Sequence, residues 1–344
     1  VYAYPGGWLT DRFGQKRSLI LFNCISILGY LLVLVWHHRY ALVVGVFLFL
    51  AWSALSLPAT FSVVATSLKS HKYTMGIGVQ SMVRRVPMMI GPLIGGALIQ
   101  HLGWESGVHS ALLLCILLNI ATLVFQIFMV ESGGPAKERP EQKNSAERQQ
   151  NFFSVVRSFS PVLRELLVSD ILIRFCERIP YAWVILWAMN YANVSPEQFG
   201  SLIAIEMATA MVCYIPVAHL ADKYGRRPFV LITFVFFTLF PIALLGAHSF
   251  AWLAVAFAVR GLKEFGEPSR KALILAEAAP ELRARAYGAY YLLRDCIVTT
   301  GSFVGYWLWQ ISPRANFLGA AAFGSLGAIW FWWFVYRRKA ASQG

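Results

Sequence analysis

Ionisable side chains recur inside apolar runs of this 344-residue chain, and they cluster. One run carries Arg174, Glu177, Arg178 and Tyr181, spaced to share one helix face. Another carries Arg260, Glu264 and Glu267 on one face, with Lys263 beside them. Arg294 precedes Asp295, and Arg84 precedes Arg85 in a run where Gln80, Arg84, Pro87 and Gly91 share a face. Glu206 has no Arg or Lys beside it in its own run. Charges at membrane depth are costly and face a cavity or a partner. A carboxylate that loses a cationic partner in apolar surroundings gains affinity for a proton. One reading therefore makes Glu177, Glu264 or Glu206 a titrating group. The other makes all these charges fixed ion pairs between helices. Arg84 and Arg85 either hold an anion or pair with acids of other helices. The acids inside the runs are Asp170, Glu177, Glu206, Glu264, Glu267 and Asp295; they nearly balance the cations, so ligand charge stays open. Tyr181, Trp183, Trp187, Tyr290 and Tyr291 are candidate cavity-lining aromatics, although such residues are also common at lipid interfaces.

The elements that must position these groups are membrane-spanning helices. Hydrophobic residues make up 58% of the chain and charged residues 14%, against about 25% charged in soluble domains. The apolar runs are continuous rather than alternating, which disfavours a closed barrel. The length accommodates about ten or eleven helical spans of ~20 residues. The first residues, Val1 to Pro5, read as the tail of a span, so span 1 and most of span 2 are expected to lie upstream. Counted from there, spans 3 to 6 are expected at residues 18–36, 40–68, 73–100 and 107–130. Spans 7 to 12 are expected at 166–192, 197–219, 228–247, 250–278, 285–310 and 315–336. Residues 131–150 contain almost no apolar side chains and cannot form a core. With an amphipathic stretch at 152–164 they form a linker, 131–164. It divides an N-terminal bundle, 1–130, from a C-terminal bundle, 165–336, which a tail at 337–344 follows.

Lys and Arg sort by side. Alternate loops collect most of the 30, including Arg270 and Lys271, whereas the opposite loops hold only Arg39 and Arg314. The positive-inside rule then places the linker and C-terminus in the cytoplasm. The net charge of +13 is thereby explained by topology and attraction to anionic lipid, not by nucleic acid. Each of the five cysteines falls in a different apolar run without metal-like spacing, so zinc and structural disulfides are not expected. No phosphate-binding loop and no set of nucleophile and base is evident, so neither a cofactor nor an enzyme is expected.

A short basic loop occurs twice. Gly7-Trp8-Leu9-Thr10-Asp11-Arg12-Phe13-Gly14-Gln15-Lys16-Arg17 is matched by Ala218-His219-Leu220-Ala221-Asp222-Lys223-Tyr224-Gly225-Arg226-Arg227. Asp11 pairs with Asp222 and Gly14 with Gly225 at one constant offset. A repeat this long indicates two homologous halves rather than a solenoid. Both loops resemble the signature that follows spans 2 and 8 in the major facilitator superfamily. Gln15 and Ala218 depart from its pattern. Span 5 is similar to a motif of proton-coupled antiporters in that superfamily, at Gly78, Pro87, Gly91, Pro92, Gly95 and Gly96, with Pro87 in place of a glycine. Small residues that simply let helices pack closely would leave the same pattern. Span 4 carries no charge between residues 41 and 68, where drug antiporters of the superfamily often have an Arg; its counterpart in span 10 does.

The resemblance implies an all-α membrane protein of two pseudo-symmetric six-helix bundles, with span 1 and most of span 2 missing. It implies a monomeric secondary transporter in a bacterial inner membrane, moving a small molecule by alternating access. Proton-coupled export is the first expectation. An uptake symporter and a non-transporting receptor on the same scaffold are the alternatives. The paired loops, Gly7, Asp11, Arg12, Gly14, Lys16 and Arg17 with Asp222, Gly225, Arg226 and Arg227, would form a conformational latch; their basic residues could equally serve only to set topology. Candidate coupling or substrate residues are Arg84, Arg85, Arg174, Glu177, Arg178, Glu206, Arg260, Glu264, Glu267, Arg294 and Asp295.

Overall fold

A computed structural model of the protein describes residues 13, 15–36, 38–50, 83, 85–129, 152–278 and 283–337. Most of these are helical, with no strand among them. In chain order the helices are α1 (Gln15–Val35), α2 (Arg39–Leu50), α3 (Arg85–Leu102), α4 (Trp104–Met129) and α5 (Phe152–Arg157). Then follow α6 (Pro161–Arg178), α7 (Trp183–Asn190), α8 (Pro196–Tyr224), α9 (Arg226–Leu245), α10 (Phe250–Leu262) and α11 (Glu267–Glu277). The last are α12 (Arg283–Thr299), α13 (Gly301–Ile311) and α14 (Pro313–Trp330), which ends in a π-helical turn, Phe331–Tyr336. Among the described residues, Lys16–Val35, Trp104–Phe128, Arg226–Leu245 and Pro313–Tyr336 are long and apolar enough to cross a membrane. Large apolar side chains such as Leu117, Phe125 and Phe128 on α4 are exposed, as a lipid-facing surface requires.

Helix boundaries follow from local chemistry. Three helices begin at Ser-Pro: Ser160-Pro161, Ser195-Pro196 and Ser312-Pro313. In each, the serine oxygen accepts from the backbone N–H three residues on, at Leu163, Gln198 and Ala315. Proline occupies the first turn, where its missing N–H costs nothing. Gly103 and Gly225 lie between consecutive helices at φ +82° and +87°, a conformation that favours glycine.

Three spans expected to be continuous are broken. Span 7 divides into α6 and α7 at Pro180, span 10 into α10 and α11 at 263–266, and span 11 into α12 and α13 at Thr300. Proline has no N–H to continue the helix at 180. The first helix of span 10 ends at Leu262, and Gly266 and Pro268 start the second. Broken helices leave carbonyls that need donors. At the span 7 break the fully buried Asn316 supplies one, its Nδ2 donating to the Ile179 carbonyl at 3.5 Å and also to the Gly305 carbonyl of α13 at 2.7 Å. At the span 10 break, the Gly266 N–H donates to Thr233 Oγ1 at 2.5 Å.

The chain separates into two compact units, residues 1–84 with 97–146, and residues 85–96 with 147–344. In the first, α1 packs on α4 through buried Asn23, whose Nδ2 donates to the Asn119 carbonyl at 3.1 Å and to Gln126 Oε1 at 3.4 Å. The second unit has two main apolar clusters. One joins Leu163, Leu166, Ile173, Phe234, Ile274 and Phe331; the other joins Trp187, Leu202, Phe240, Leu253, Phe257 and Phe317. Small residues set its helix crossings. A Cβ on Gly305 would strike the Ile179 carbonyl, and one on Gly301 would lie 3.3 Å from Phe175. Gly301 and Gly305 are four apart, so one face of α13 seats against span 7.

Gly305→Val should force these helices apart and cost about 1–3 kcal/mol, read as a lowered apparent Tm in detergent. A Cβ on Gly288 in α12 would meet nothing within 4 Å among the described residues, so Gly288→Ala should leave Tm unchanged or raise it. Equal effects of the two substitutions would contradict this packing.

Candidate functional site

The helix breaks turn charged side chains toward one another in the second unit. Asp170, on α6, is fully buried and is the hub. Its Oδ2 accepts from the Arg270 guanidinium in a short contact, from Tyr290 OH at 3.2 Å and from Arg294 Nη1 at 3.3 Å. Arg270 is 1% exposed and also donates to both Glu267 carboxylate oxygens, at 2.7 Å each. Glu267 accepts from Arg174 at 3.2 Å, and Arg174 donates to Glu177 at 2.8 Å. Glu177 accepts from Lys263 Nζ at 2.9 Å; Lys263 reaches Glu206 at 3.1 Å, and Arg260 reaches Glu206 at 3.3 Å. At the other end, Arg294 pairs with Asp295 at 2.7 Å. A continuous chain of alternating charges thus links α6, α8, α10, α11 and α12.

Isolated charges this deep would each cost several kcal/mol to desolvate. Alternation along the chain gives each ion an opposite neighbour, and most of them a directed hydrogen bond as well. Aromatic faces add to this: the Arg294 guanidinium lies 4.1 Å from the Tyr291 ring centroid, and Arg260 5.1 Å from that of Phe240. The chain borders a cavity of about 320 Å³ whose walls include Arg174, Glu177, Arg178, Tyr181, Arg294 and Asp295.

Most of the candidates read from sequence lie in this unit, but their pairings follow tertiary structure. Arg260, Glu264 and Glu267 do not act as one helix face, because the turn at 263–266 sends each to a different partner. Glu264 meets Arg85 at 2.9 Å, Glu267 meets Arg174 and Arg270, and Arg260 meets Glu206. Glu206 has no Arg or Lys beside it on its own helix, yet span 10 supplies it with two cations. Arg178 lies against the Tyr181 ring at 5.5 Å, with no carboxylate in ion-pairing range among the described residues.

Sequence reasoning undervalued Asp170 and placed Arg270 with the cytoplasmic loops. The spacing of Glu267 and Arg270, just after Gly266 and on either side of Pro268, which restarts the helix, was the available signal. Of the aromatics, Tyr181 lines the cavity. Tyr290 and Trp187 are buried, the latter donating to the Ala247 carbonyl at 3.3 Å, and Trp183 stacks on Trp309.

In the second copy of the repeated loop, Arg227 donates to the Val335 carbonyl at 2.7 Å and to Glu277 Oε1 at 3.4 Å, tying α9 to the π-helical end of span 12 and to α11. Arg226 reaches the Ala272 carbonyl at 3.4 Å. Gly225 supplies the sharp turn before α9. Gly7, Asp11, Arg12, Gly14, Gly78, Arg84 and the Asp222 side chain lie outside the described residues; Lys16 and Arg17 open α1. In span 5, a Cβ on Gly96 would strike the Pro196 carbonyl, and one on Gly200 would strike that of Pro92. These two glycines let α3 and α8 touch backbone to backbone. Gly91 and Gly95 face open space among the described residues, and Pro87 lies in the first turn of α3.

Comparison with known proteins shows the family. The family described as Major Facilitator Superfamily matches over residues 1–190 and 166–344. An uncharacterized MFS-type transporter of Methanocaldococcus jannaschii is 22% identical, over 74% of this chain and 61% of its own length. The class B tetracycline resistance protein of Escherichia coli is 24% identical, over 68% of this chain and 57% of its own length. The chain thus spans about six-tenths of these two relatives. A multi-drug resistance efflux pump PmrA homolog of Lactococcus lactis subsp. lactis is 23% identical, over 94% of this chain and 79% of its own length. A crystal structure of a POT family transporter with a thioalcohol-conjugated peptide superposes with a TM-score of 0.75 at 13% identity, covering 95% of this chain and 83% of that one. At that identity it shows the fold.

Removing one member of a buried pair strands the other, at about 3–5 kcal/mol. Asp170→Asn should therefore lower the apparent Tm and the yield of folded protein on size-exclusion chromatography. Arg270→Met should do the same, and the double substitution should fall short of the sum, because the two residues share one interaction. Additive losses would show that the pair is not the hub.

Proposed function

Because the chain belongs to the Major Facilitator Superfamily, we propose that it is a monomeric secondary transporter that exports a small molecule across the bacterial inner membrane in exchange for protons. In this reading residues 1–130 and 165–336 are two bundles that alternate access to a central site, with the 131–164 linker and the C-terminus in the cytoplasm. Ion gradients supply the energy, and the protein performs no covalent chemistry.

The observation that carries the proposal is the position of Glu177. It borders the cavity and is shared by Arg174 on its own helix and Lys263 at the break in span 10. A shift of span 10 against span 7 would withdraw Lys263. The carboxylate would then keep Arg174 alone in place of two cations, and its affinity for a proton would rise. Lys263 would keep a partner in Glu206, so the exchange leaves no cation stranded. A chain of pairs with two settings is the kind of bistable element that alternating access needs.

Export is favoured by the relatives whose names describe resistance and efflux, and by the span 5 motif. The repeated loops serve as a latch on the cytoplasmic face; the ties from Arg227 to Val335 and Glu277 supply its second half. Pro92, Gly96 and Gly200 provide a close crossing of spans 5 and 8 on which motion can turn.

Expression in an export-deficient host should raise tolerance to at least one member of a panel of tetracycline and toxic dyes. Unchanged sensitivity across the panel would count against export. In proteoliposomes, Glu177→Gln should abolish accumulation driven by a pH gradient while solute exchange without a gradient persists. Full gradient-driven accumulation in that variant would remove Glu177 from the coupling step.

A further inference from the structure

The charges that border the cavity identify the chemical class of its ligand, on the premise that this cavity is the transport site proposed above. The chain of charges joins the buried or half-buried acids Asp170, Glu177, Glu206 and Glu267 to Asp295, whose side chain is 61% exposed. The cations Arg174, Arg260, Lys263, Arg270 and Arg294 each contact one or more of them. Arg178 stands outside these pairings. It lies in the same cavity wall, one residue after Glu177, yet no carboxylate is within ion-pairing range of it among the described residues. Its guanidinium lies instead against the ring of Tyr181, which is 57% exposed.

Glu177 and Asp295, the two acids in the cavity wall, do not serve Arg178. Glu177 is held by Arg174 at 2.8 Å and Lys263 at 2.9 Å, and Asp295 by Arg294. An anion entering the cavity would meet one guanidinium that no described carboxylate engages, beside others already paired. A cation entering would meet carboxylates that have partners. Arg178 is exposed in the cavity wall, and planar oxyanions match its fork of N–H donors. Tyr181 offers a flat apolar face beside it, and Val298 and Thr299 extend the wall.

We propose that the cavity binds a small organic anion, a carboxylate, sulfonate or phosphate on an apolar or aromatic body, with Arg178 as its counter-ion and Tyr181 as its stacking surface. A soluble anion and a lipid headgroup share this chemistry; the proposal is for the soluble anion.

Binding can be read without transport. The full chain in a neutral detergent is titrated at pH 7 with benzoate, benzyl alcohol and benzylamine, and its apparent Tm is followed. Benzoate should raise Tm, and the neutral and cationic analogues should not. The benzoate shift should shrink in high salt, vanish in Arg178→Gln and persist in part in Arg178→Lys. Arg178 makes no ion pair among the described residues, so Arg178→Gln without ligand should keep the parent Tm. If it does not fold, Tyr181→Ala should weaken the benzoate shift instead. Equal shifts from all three compounds, or an undiminished benzoate shift in Arg178→Gln, would overturn the proposal. A shift produced by phosphatidylglycerol that depends on Arg178 and blocks that of benzoate would assign the site to lipid, and would overturn it too. Benzoate binding in a chain that moves no solute would uphold this inference and defeat the transport reading. Transport with no preference for anions would do the reverse.

Discussion

The contact between Asp170 and Arg270 is the constraint on which the second unit depends. Both groups are almost wholly buried, and neither could remain charged alone. Asp170 lies on span 7 and Arg270 on the second half of span 10. Their attraction therefore fixes the depth and rotation of two helices relative to each other. Tyr290 and Arg294 bring span 11 to the same carboxylate. Three spans are registered by one aspartate, which apolar contacts alone would specify less sharply, since lipid tails compete with them on equal terms.

The helix breaks have a common purpose in this setting. Pro180 interrupts span 7 just after Arg178, and the 263–266 turn interrupts span 10 between Lys263 and Glu267. An unbroken helix would keep Arg260, Glu264 and Glu267 stacked on one side, able to pair mainly with one neighbour. The turn spreads them to three neighbours instead. The freed backbone groups are met by Asn316 and Thr233. A rigid hub at Asp170 and a more exposed, exchangeable pairing at Glu177 then coexist in one chain of charges. The first holds the fold, and the second borders the cavity where change is useful.

Much of this architecture is legible in the sequence. The apolar runs, the linker and the paired loops carry the fold class, because membrane insertion leaves few alternatives to helices of fixed length. The existence of charged clusters in spans 7, 10 and 11 is equally plain. Their partners are not. Glu206 reads as isolated because helical spacing reports only neighbours on the same helix, and its two cations come from span 10. Arg270 reads as a loop residue because charge near a span end normally marks the interface; burial beside Asp170 is a property of the tertiary packing. Hydropathy overestimates the continuity of spans 7, 10 and 11, although Pro180, and Gly266 with Pro268, mark two of the breaks. The Ser-Pro starts are visible as well, and they fix three helix beginnings more sharply than hydropathy does.

Proton coupling through this chain of charges requires Glu177 to change its protonation state. Infrared titration of the reconstituted protein reads this directly, since a protonated carboxyl group has a C=O stretch that a carboxylate lacks. The prediction is a reversible carboxyl band that grows on acidification in the parent protein and is missing in Glu177→Gln. A band of equal size in both proteins would mean that the proton is carried elsewhere, and that the chain of charges is scaffolding only.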